Sequence, residues 1–277
     1  MTSSARRRHS ILYMPANRDS AIAKARTLPA DCVILDLEDA VQPEAKDAAR
    51  VAAQAAARFG GWGRRELLLR VNGLGTPWHA EDFGIARDFD ALVVPKVDSA
   101  AEAERAVALA RGKPVWAMIE TPRGVLAAPE IARVPGVVAL LAGMADLAKD
   151  LRARPDAART PLLYSLSAIV VAARAAGILA IDGVFTDIKD PVGFDAEAAQ
   201  SLMLGFDGKS LIHPSQVEPC NRAFAPTADD IADAQGLIAA YEAGLAAGKG
   251  VTTYKGKLIE VLHVATARAL LAGLKAS

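Results

Sequence analysis

The chain has 277 residues, of which 52% are hydrophobic, and its 32 basic residues balance 32 acidic residues. A net charge of zero gives no general attraction to nucleic acid or to an anionic membrane, so partners must be recognised at local sites. The sequence shows neither a secretory signal nor an apolar run long enough to span a bilayer, and Cys32 and Cys220 lack the spacing of a metal site. We therefore expect a soluble cytoplasmic protein that binds neither nucleic acid nor membranes.

Apolar runs typical of β-strands alternate along the chain with alanine-rich amphipathic stretches. The eight runs, in chain order, are "SILYMP", "CVILDL", "ELLLRV", "ALVVPK", "PVWAMIE", "VVALLAG", "IDGVFT" and "GKSLIHP". Parallel strands covered on both faces give such continuous runs, and the stretches 44–58, 99–110 and 162–176 are long enough for crossover helices. Eight β/α units in this length favour an α/β fold of the (β/α)8 TIM-barrel type over an open doubly wound sheet.

The barrel is expected over residues 1–225, followed by a C-terminal helical extension over residues 226–277. Thr227, with acidic residues after it, is the expected N-cap of a helix in this extension. A glycine-broken turn then leads into a last helix. Its apolar stripe needs a surface to cover it, and comprises Leu258, Val261, Leu262, Ala265 and Ala269.

Charged side chains stand at or just after the ends of several predicted strands. In a TIM barrel the carboxyl ends of the strands build the active site, so these side chains are expected to converge on one mouth. They are Glu38, Arg70, Lys96, Glu120 and Asp146, with Asp36 and Asp39 beside Glu38.

Glu120 and Asp146 follow adjacent strands and offer hard oxygen ligands, with no histidine or cysteine nearby. Mg²⁺ prefers one or two carboxylates completed by water and substrate oxygens. The alternative for Asp146 is a cap on the helix that begins near Leu147. Arg70 could bind a substrate carboxylate or an enolate oxygen, or instead pair with neighbouring acids and make the rim rigid.

Several motifs together resemble a known family. They include "DCVILDLEDAV", "LLLRVNG", "MIETPRGV", "GMADLAKDL" and "GFDGKSLIHPSQVEPCNRAFAP", in order along nearly the whole barrel. The chain thereby resembles the citrate lyase β-subunit-like group of the HpcH/HpaI aldolase superfamily, which includes malyl-CoA and citramalyl-CoA lyases. The resemblance implies a Mg²⁺-dependent barrel that makes or breaks a carbon–carbon bond beside a thioester, with Glu120 and Asp146 as metal ligands and Arg70 as the substrate-binding arginine.

Cleavage of a 3-hydroxyacyl thioester releases a 2-oxo acid and leaves the enolate of an acyl thioester. A Mg²⁺ ion and Arg70 would stabilise the developing negative charge, with Glu38 and Lys96 as further substrate-site residues. Lys96 could alternatively orient Glu38. For the base, the resemblance points to the C-terminal extension, where "GKLIE" places Glu260 at the position of a family aspartate. The longer side chain is a departure from the family pattern, and a surface role for Glu260 is the alternative.

A coenzyme A thioester also needs cationic anchors for its phosphates. The candidates are Arg18, Lys24, Lys209 and His213, which follow or lie in the first and eighth strands. His213 could instead fix its own loop. The resemblance further suggests a homotrimer or homohexamer in which the extension covers a neighbour's site.

Three functions stay open at this stage. The first is a lyase acting on malyl-CoA, citramalyl-CoA or a citryl thioester. The second is a citrate lyase β-like subunit that depends on partners such as an acyl-carrier protein. The third is a noncatalytic regulator that binds metal and coenzyme A.

Overall fold

The computed structural model describes residues 7–248 and 250–275. The chain divides into two compact units, Arg8–Phe224 and a C-terminal unit that begins at Ala225. No helix among the described residues is long and apolar enough to cross a bilayer.

Eight parallel strands of the first unit close into a barrel in chain order, with β1 hydrogen-bonded to both β2 and β8. They are β1 (Ser10–Pro15), β2 (Cys32–Asp36), β3 (Glu66–Arg70), β4 (Ala91–Val94), β5 (Val115–Ile119), β6 (Val137–Ala142), β7 (Leu179–Asp182) and β8 (Gly208–Leu211). The predicted TIM-barrel fold is confirmed. The seventh strand begins two residues before the apolar run assigned to it and ends at Asp182.

Nine helices of the first unit follow or flank these strands. They are α1 (Asp19–Ala25), α2 (Lys46–Phe59), α3 (His79–Gly84), α4 (Ala100–Ala110), α5 (Pro122–Ala132), α6 (Met144–Asp150), α7 (Leu163–Ala176), α8 (Pro191–Leu204) and α9 (Val217–Phe224). The crossover helices expected within 44–58, 99–110 and 162–176 correspond to α2, α4 and α7.

The strands separate two hydrophobic clusters. One cluster fills the inside of the barrel and includes Ile34, Leu68, Trp116 and Leu141. The other lies between the strands and the surrounding helices. Because successive side chains of a strand point to opposite faces, this division shows which strand residues can reach the mouth of the barrel.

The C-terminal unit contains α10 (Ala228–Ala246), a hairpin of β9 (Thr252–Tyr254) and β10 (Lys257–Ile259), and α11 (Val261–Lys275). Thr227 caps α10 by accepting from the Asp230 amide at 3.1 Å, and the Asp230 carboxylate accepts from the Thr227 amide. The hairpin was not predicted, because its strands have only three residues each.

The predicted apolar stripe of the last helix is wrong in one member, since Leu258 lies on β10 and not on α11. Leu258, Val261 and Leu262 are all more than half exposed, whereas Val264 and Ala267 are the buried side chains of α11. The part of the predicted stripe that lies on α11 is therefore exposed in the single chain, and a different face of the helix is buried.

Candidate active site

A cavity of about 390 Å³ lies at the carboxyl ends of the barrel strands. Its lining combines the polar side chains of Asp36, Arg70, Glu120 and Asp146 with apolar ones such as Met118. This volume and mixed lining are typical of a small-molecule site.

Arg70 is the last residue of β3, and its side chain points into the barrel on the same face as Leu68. Its guanidinium binds both carboxylate oxygens of Asp36, with Nε–Oδ1 at 2.7 Å and Nη2–Oδ2 at 2.6 Å. Nη1 lies 2.7 Å from Glu38 Oε2, and the Tyr13 ring packs against the guanidinium, 4.9 Å from ring centre to Cζ. The ion pair with neighbouring acids, left open by the sequence, is therefore present, although Arg70 also lines the cavity.

Burial alone would lower the pKa of Arg70, but the charge of Asp36 and its hydrogen bonds hold that pKa well above the usual value. Arg70 is therefore a permanent positive charge at the mouth. Tyr13, on the interior face of β1, has its pKa raised, mainly by burial, and is a neutral phenol.

Glu120 follows β5 directly, and the local sequence explains why the strand stops there. Thr121 caps α5 by accepting from the Gly124 amide at 2.9 Å, and Pro122 occupies the first helical turn, where its missing N–H costs nothing. Glu120 is thus fixed between a strand and a helix, 3% exposed, with its side chain at the cavity.

Burial and, next, the charge of Glu38 raise the pKa of Glu120 to about 7. Its Oε1 accepts from the Lys96 amide at 2.8 Å. A positive charge close to this carboxylate would favour its ionised form.

Asp146 lies in the first turn of α6, which begins at Met144 with Gly143 as its N-cap. The capping role considered for Asp146 is therefore excluded, because the helix starts two residues before it. Its side chain is 31% exposed and 3.3 Å from the Lys96 ammonium, and negative charge is favourable in a first helical turn.

Glu120 and Asp146 both approach the Lys96 ammonium, at 3.8 and 3.3 Å. Among residues 7–248 and 250–275, no group of three His, Cys, Asp or Glu side chains is placed to hold a metal ion. A pair of carboxylates on a cavity fits Mg²⁺, which takes its other ligands from water and substrate. The assignment of Glu120 and Asp146 as metal ligands stays a prediction.

Lys96 and Glu38 also meet at this rim, with the Lys96 Nζ 2.9 Å from Glu38 Oε1. Burial and the Asp39 charge raise the pKa of Glu38, against the opposing effect of Arg70. Glu38 thus links Arg70 to Lys96, which agrees with the alternative that Lys96 orients Glu38.

The prediction that Lys209 anchors a phosphate is wrong. Lys209 lies on the outer face of β8 and is 0% exposed, whereas its neighbour Ser210 lines the cavity. The Lys209 ammonium donates to Asp182 Oδ2 at 3.0 Å, to the Gly183 carbonyl at 2.6 Å and to Glu197 Oε1 at 2.7 Å. Its three N–H donors are satisfied within the protein, so Lys209 is not an accessible phosphate anchor.

The other three candidates for a phosphate anchor are exposed to solvent. Arg18 and Lys24 are exposed at the start and in the last turn of α1, after β1, and His213 is exposed after the adjacent β8. The His213 ring accepts from the Ser215 amide at 3.2 Å and caps a short turn, which supports its loop-fixing role.

Glu260, the predicted base, is exposed in the C-terminal unit, where its amide donates to His263 Nδ1 at 3.0 Å.

Sequence reasoning missed several cavity residues, among them Tyr13, Ser210 and Val184. The alternation in "SILYMP" places Tyr13 on the same face as Ile11, which is inside the barrel, so that signal was present. Ser210 and Val184 carry no comparable signal, since their exposure to the mouth depends on where β8 and β7 end.

Comparison with known proteins matches residues 9–214 to the family described as HpcH/HpaI aldolase/citrate lyase. The chain is 42% identical over 272 residues to a (3S)-malyl-CoA thioesterase of Cereibacter sphaeroides, covering 96% of this chain and 94% of that protein. It is 36% identical to a citrate lyase subunit beta of Leuconostoc mesenteroides, covering 92% and 89%. The crystal structure of the protein CitE from Mycobacterium tuberculosis in complex with magnesium, acetoacetate and coenzyme A matches with a TM-score of 0.82 at 30% identity, covering 98% and 99%.

Proposed function

Because the chain belongs to the HpcH/HpaI aldolase/citrate lyase family, we propose that it is a Mg²⁺-dependent carbon–carbon lyase. It would cleave or form a 3-hydroxyacyl thioester such as malyl-CoA, citramalyl-CoA or a citryl thioester, giving a 2-oxo acid and an acyl thioester. The observation that carries this proposal is that Glu120 and Asp146 approach one cation beside the buried charge of Arg70.

Glu120 and Asp146 would hold the Mg²⁺ ion at the mouth of the barrel. When bound, the ion supplies Lewis-acid polarisation of the oxygens of the 2-oxo acid portion. The related CitE structure contains magnesium, acetoacetate and coenzyme A, which supports a magnesium ion and a coenzyme A thioester as the ligands of this chain.

Arg70 would stabilise negative charge that develops on the substrate. Its position is fixed in advance by Asp36 and by the Tyr13 ring, so it needs no reorganisation during the reaction. Its contact with Asp39 Oδ2 is longer, at 3.3 Å, and the Asp39 side chain is 64% exposed. A substrate carboxylate would replace Asp39 there more easily than it would replace Asp36.

Arg18 and Lys24 are the anchors that we propose for the phosphates of coenzyme A, since both are exposed after β1. Glu260 would serve as the base, contributed by the C-terminal unit of a neighbouring copy in a homotrimer or homohexamer. Its exposure in the isolated chain agrees with such a role.

A second candidate is hydrolysis of the thioester, favoured by the 42% identity to a (3S)-malyl-CoA thioesterase. In that reaction water adds to the thioester carbonyl, and free coenzyme A leaves with a hydroxy acid. The citrate lyase subunit beta relative keeps a partner-dependent role with an acyl-carrier protein as a further candidate. A noncatalytic regulator is the outcome left if no substrate is turned over.

The products distinguish these activities. Purified protein with Mg²⁺ should be incubated with malyl-CoA and citramalyl-CoA, and the products separated by liquid chromatography and mass spectrometry. The lyase releases glyoxylate or pyruvate together with acetyl-CoA and no free thiol. Free coenzyme A with malate or citramalate, and no 2-oxo acid, would overturn the lyase in favour of hydrolysis. Turnover only after addition of a carrier protein would select the partner-dependent subunit.

A further inference from the structure

The Lys96 ammonium contacts three carboxylates at the rim of the cavity. Nζ lies 2.9 Å from Glu38 Oε1, 3.3 Å from Asp146 Oδ2 and 3.8 Å from Glu120 Oε1. Two of these three carboxylates are those that we assign to a divalent cation. Lys96 and a metal ion would therefore use the same oxygens.

The backbone of Lys96 is also unusual. Its φ of +52° lies in the left-handed region, which is unfavourable for a residue other than glycine. In this conformation its amide donates to Glu120 Oε1 at 2.8 Å while its side chain reaches Asp146 and Glu38. A strained backbone that persists beside a site is a reason to look for a function there.

The contacts of Lys96 are unequal in length. The contact with Glu38 is the shortest and meets hydrogen-bond geometry, whereas those with Asp146 and Glu120 are longer ion contacts. The Lys96 side chain is 46% exposed, so it has room to move. An incoming cation could take the two longer contacts while Lys96 keeps Glu38.

Two cations cannot share the same carboxylate oxygens without mutual repulsion. At a few ångströms in a partly buried site, this repulsion is screened much less than at an open surface. The Lys96 ammonium would therefore weaken the binding of a divalent ion at Glu120 and Asp146. When no divalent ion is bound, the same ammonium holds these two carboxylates together.

We propose that Lys96 is an internal counter-cation, which neutralises Glu120 and Asp146 when no metal is bound and is displaced toward Glu38 by a divalent cation. This inference rests on the proposed metal site and goes beyond it, because it makes Lys96 the residue that sets the metal affinity. In this role Lys96 is a positioning residue and not a metal ligand.

The test is calorimetric titration of Mg²⁺ into the full chain and three Lys96 variants. Lys96→Met removes the ammonium and keeps most of the side-chain length, so Mg²⁺ should bind at least about tenfold tighter. Lys96→Gly also removes the ammonium, and glycine adopts the left-handed backbone without strain. This second variant keeps the test valid if Lys96→Met folds poorly. Lys96→Arg keeps the cation and should stay within about threefold of the wild-type affinity.

A matched control is Lys149→Met, which removes an exposed lysine from α6, the helix that carries Asp146. It should leave the affinity unchanged. Equal or weaker Mg²⁺ binding in both Lys96→Met and Lys96→Gly would overturn the inference. If the Met variant folds as wild type does, tighter binding in the glycine variant alone would also overturn it, since backbone relaxation would then be the cause. If neither wild type nor these variants bind Mg²⁺, the metal assignment falls and the inference falls with it.

Discussion

Gly143 lies directly against the side chain of Glu120. A Cβ atom built on Gly143 would stand 2.3 Å from Glu120 Cβ and 2.4 Å from Oε2, closer than non-bonded atoms can approach. The Gly143 amide also donates to the Ile119 carbonyl at 3.0 Å, so the two backbones are tied together. Only glycine at position 143 leaves the Glu120 carboxylate where it is.

Gly143→Ala should therefore move Glu120 and weaken Mg²⁺ binding at least about tenfold, with a stability loss of about 1–3 kcal/mol from overpacking. Calorimetric titration and chemical denaturation measure these two effects. Gly84→Ala, where an added Cβ meets nothing within 4 Å, is the matched control and should leave metal binding as in wild type. If Gly143→Ala bound Mg²⁺ with wild-type affinity, the prediction that metal binding depends on the present position of the Glu120 carboxylate would be wrong.

The pKa of Glu120 predicts how the stability of the metal-free protein depends on pH. Burial and Glu38 raise this pKa from 4.5 to about 7 in the folded chain, so between these values the folded state binds more protons than the unfolded state. The free energy of unfolding then falls as pH rises through this range and levels off above it. Glu120 accounts for at most about 3 kcal/mol of this loss.

The measurement is urea denaturation in a chelator at intervals from pH 4 to pH 8, on wild type and on Glu120→Gln. The variant cannot ionise at this position, so its stability should fall less over the same range. Other groups, including Glu38 with its raised pKa, are common to both proteins. Parallel pH profiles for the two proteins would contradict the raised pKa of Glu120.

Arg70→Lys tests whether the planar fork is needed. Lysine keeps the charge but cannot bind both oxygens of Asp36, so we expect a loss of about 2 kcal/mol in stability and about 10²-fold in kcat/KM. Arg174→Lys is a matched control, because Arg174 binds Asp207 with a similar fork on the outside of α7, where it is half exposed. It should change stability by less than about 1 kcal/mol and leave kcat/KM intact. Wild-type kinetics in Arg70→Lys would return Arg70 to a structural role.

Glu260 is tested by two substitutions of the same carboxylate. Glu260→Gln should leave stability unchanged, since the residue is exposed, and should lower kcat about 10²-fold or more if the carboxylate is the base. Glu260→Asp shortens the side chain to the length of the related aspartate and should retain activity. Glu242→Gln, an exposed change on α10, is the control for the C-terminal unit. Full turnover in Glu260→Gln would exclude Glu260 as the base.

Much of the barrel could be predicted because each strand is a continuous apolar run, and the end of a run shows where a polar side chain reaches the mouth. Glu120 follows this logic, since Thr121 and Pro122 mark the start of a helix immediately after it. The face of a very short strand is less certain. On the four residues of β8, the neighbours Lys209 and Ser210 point to opposite sides, and Lys209, the predicted phosphate anchor, lies on the outer side.

The contacts that control the site were beyond sequence reasoning for a different reason. The left-handed backbone of Lys96 and its approach to three carboxylates depend on the packing of β2, β4, β5 and α6 together. No local pattern encodes such an arrangement. The same holds for the hairpin of β9 and β10, whose pairing outweighs the weak strand preference of residues 252–259.

The central claim is that Glu120 and Asp146 together hold a Mg²⁺ ion, and the most direct measurement is calorimetric titration of Mg²⁺ into wild type, Glu120→Gln and Asp146→Asn. Both substitutions keep the size of the side chain and remove one charge. We expect a loss of at least about tenfold in affinity in each variant. Asp150→Asn, an exposed change at the end of α6, should bind as wild type does. Wild-type Mg²⁺ affinity in both Glu120→Gln and Asp146→Asn would contradict the account.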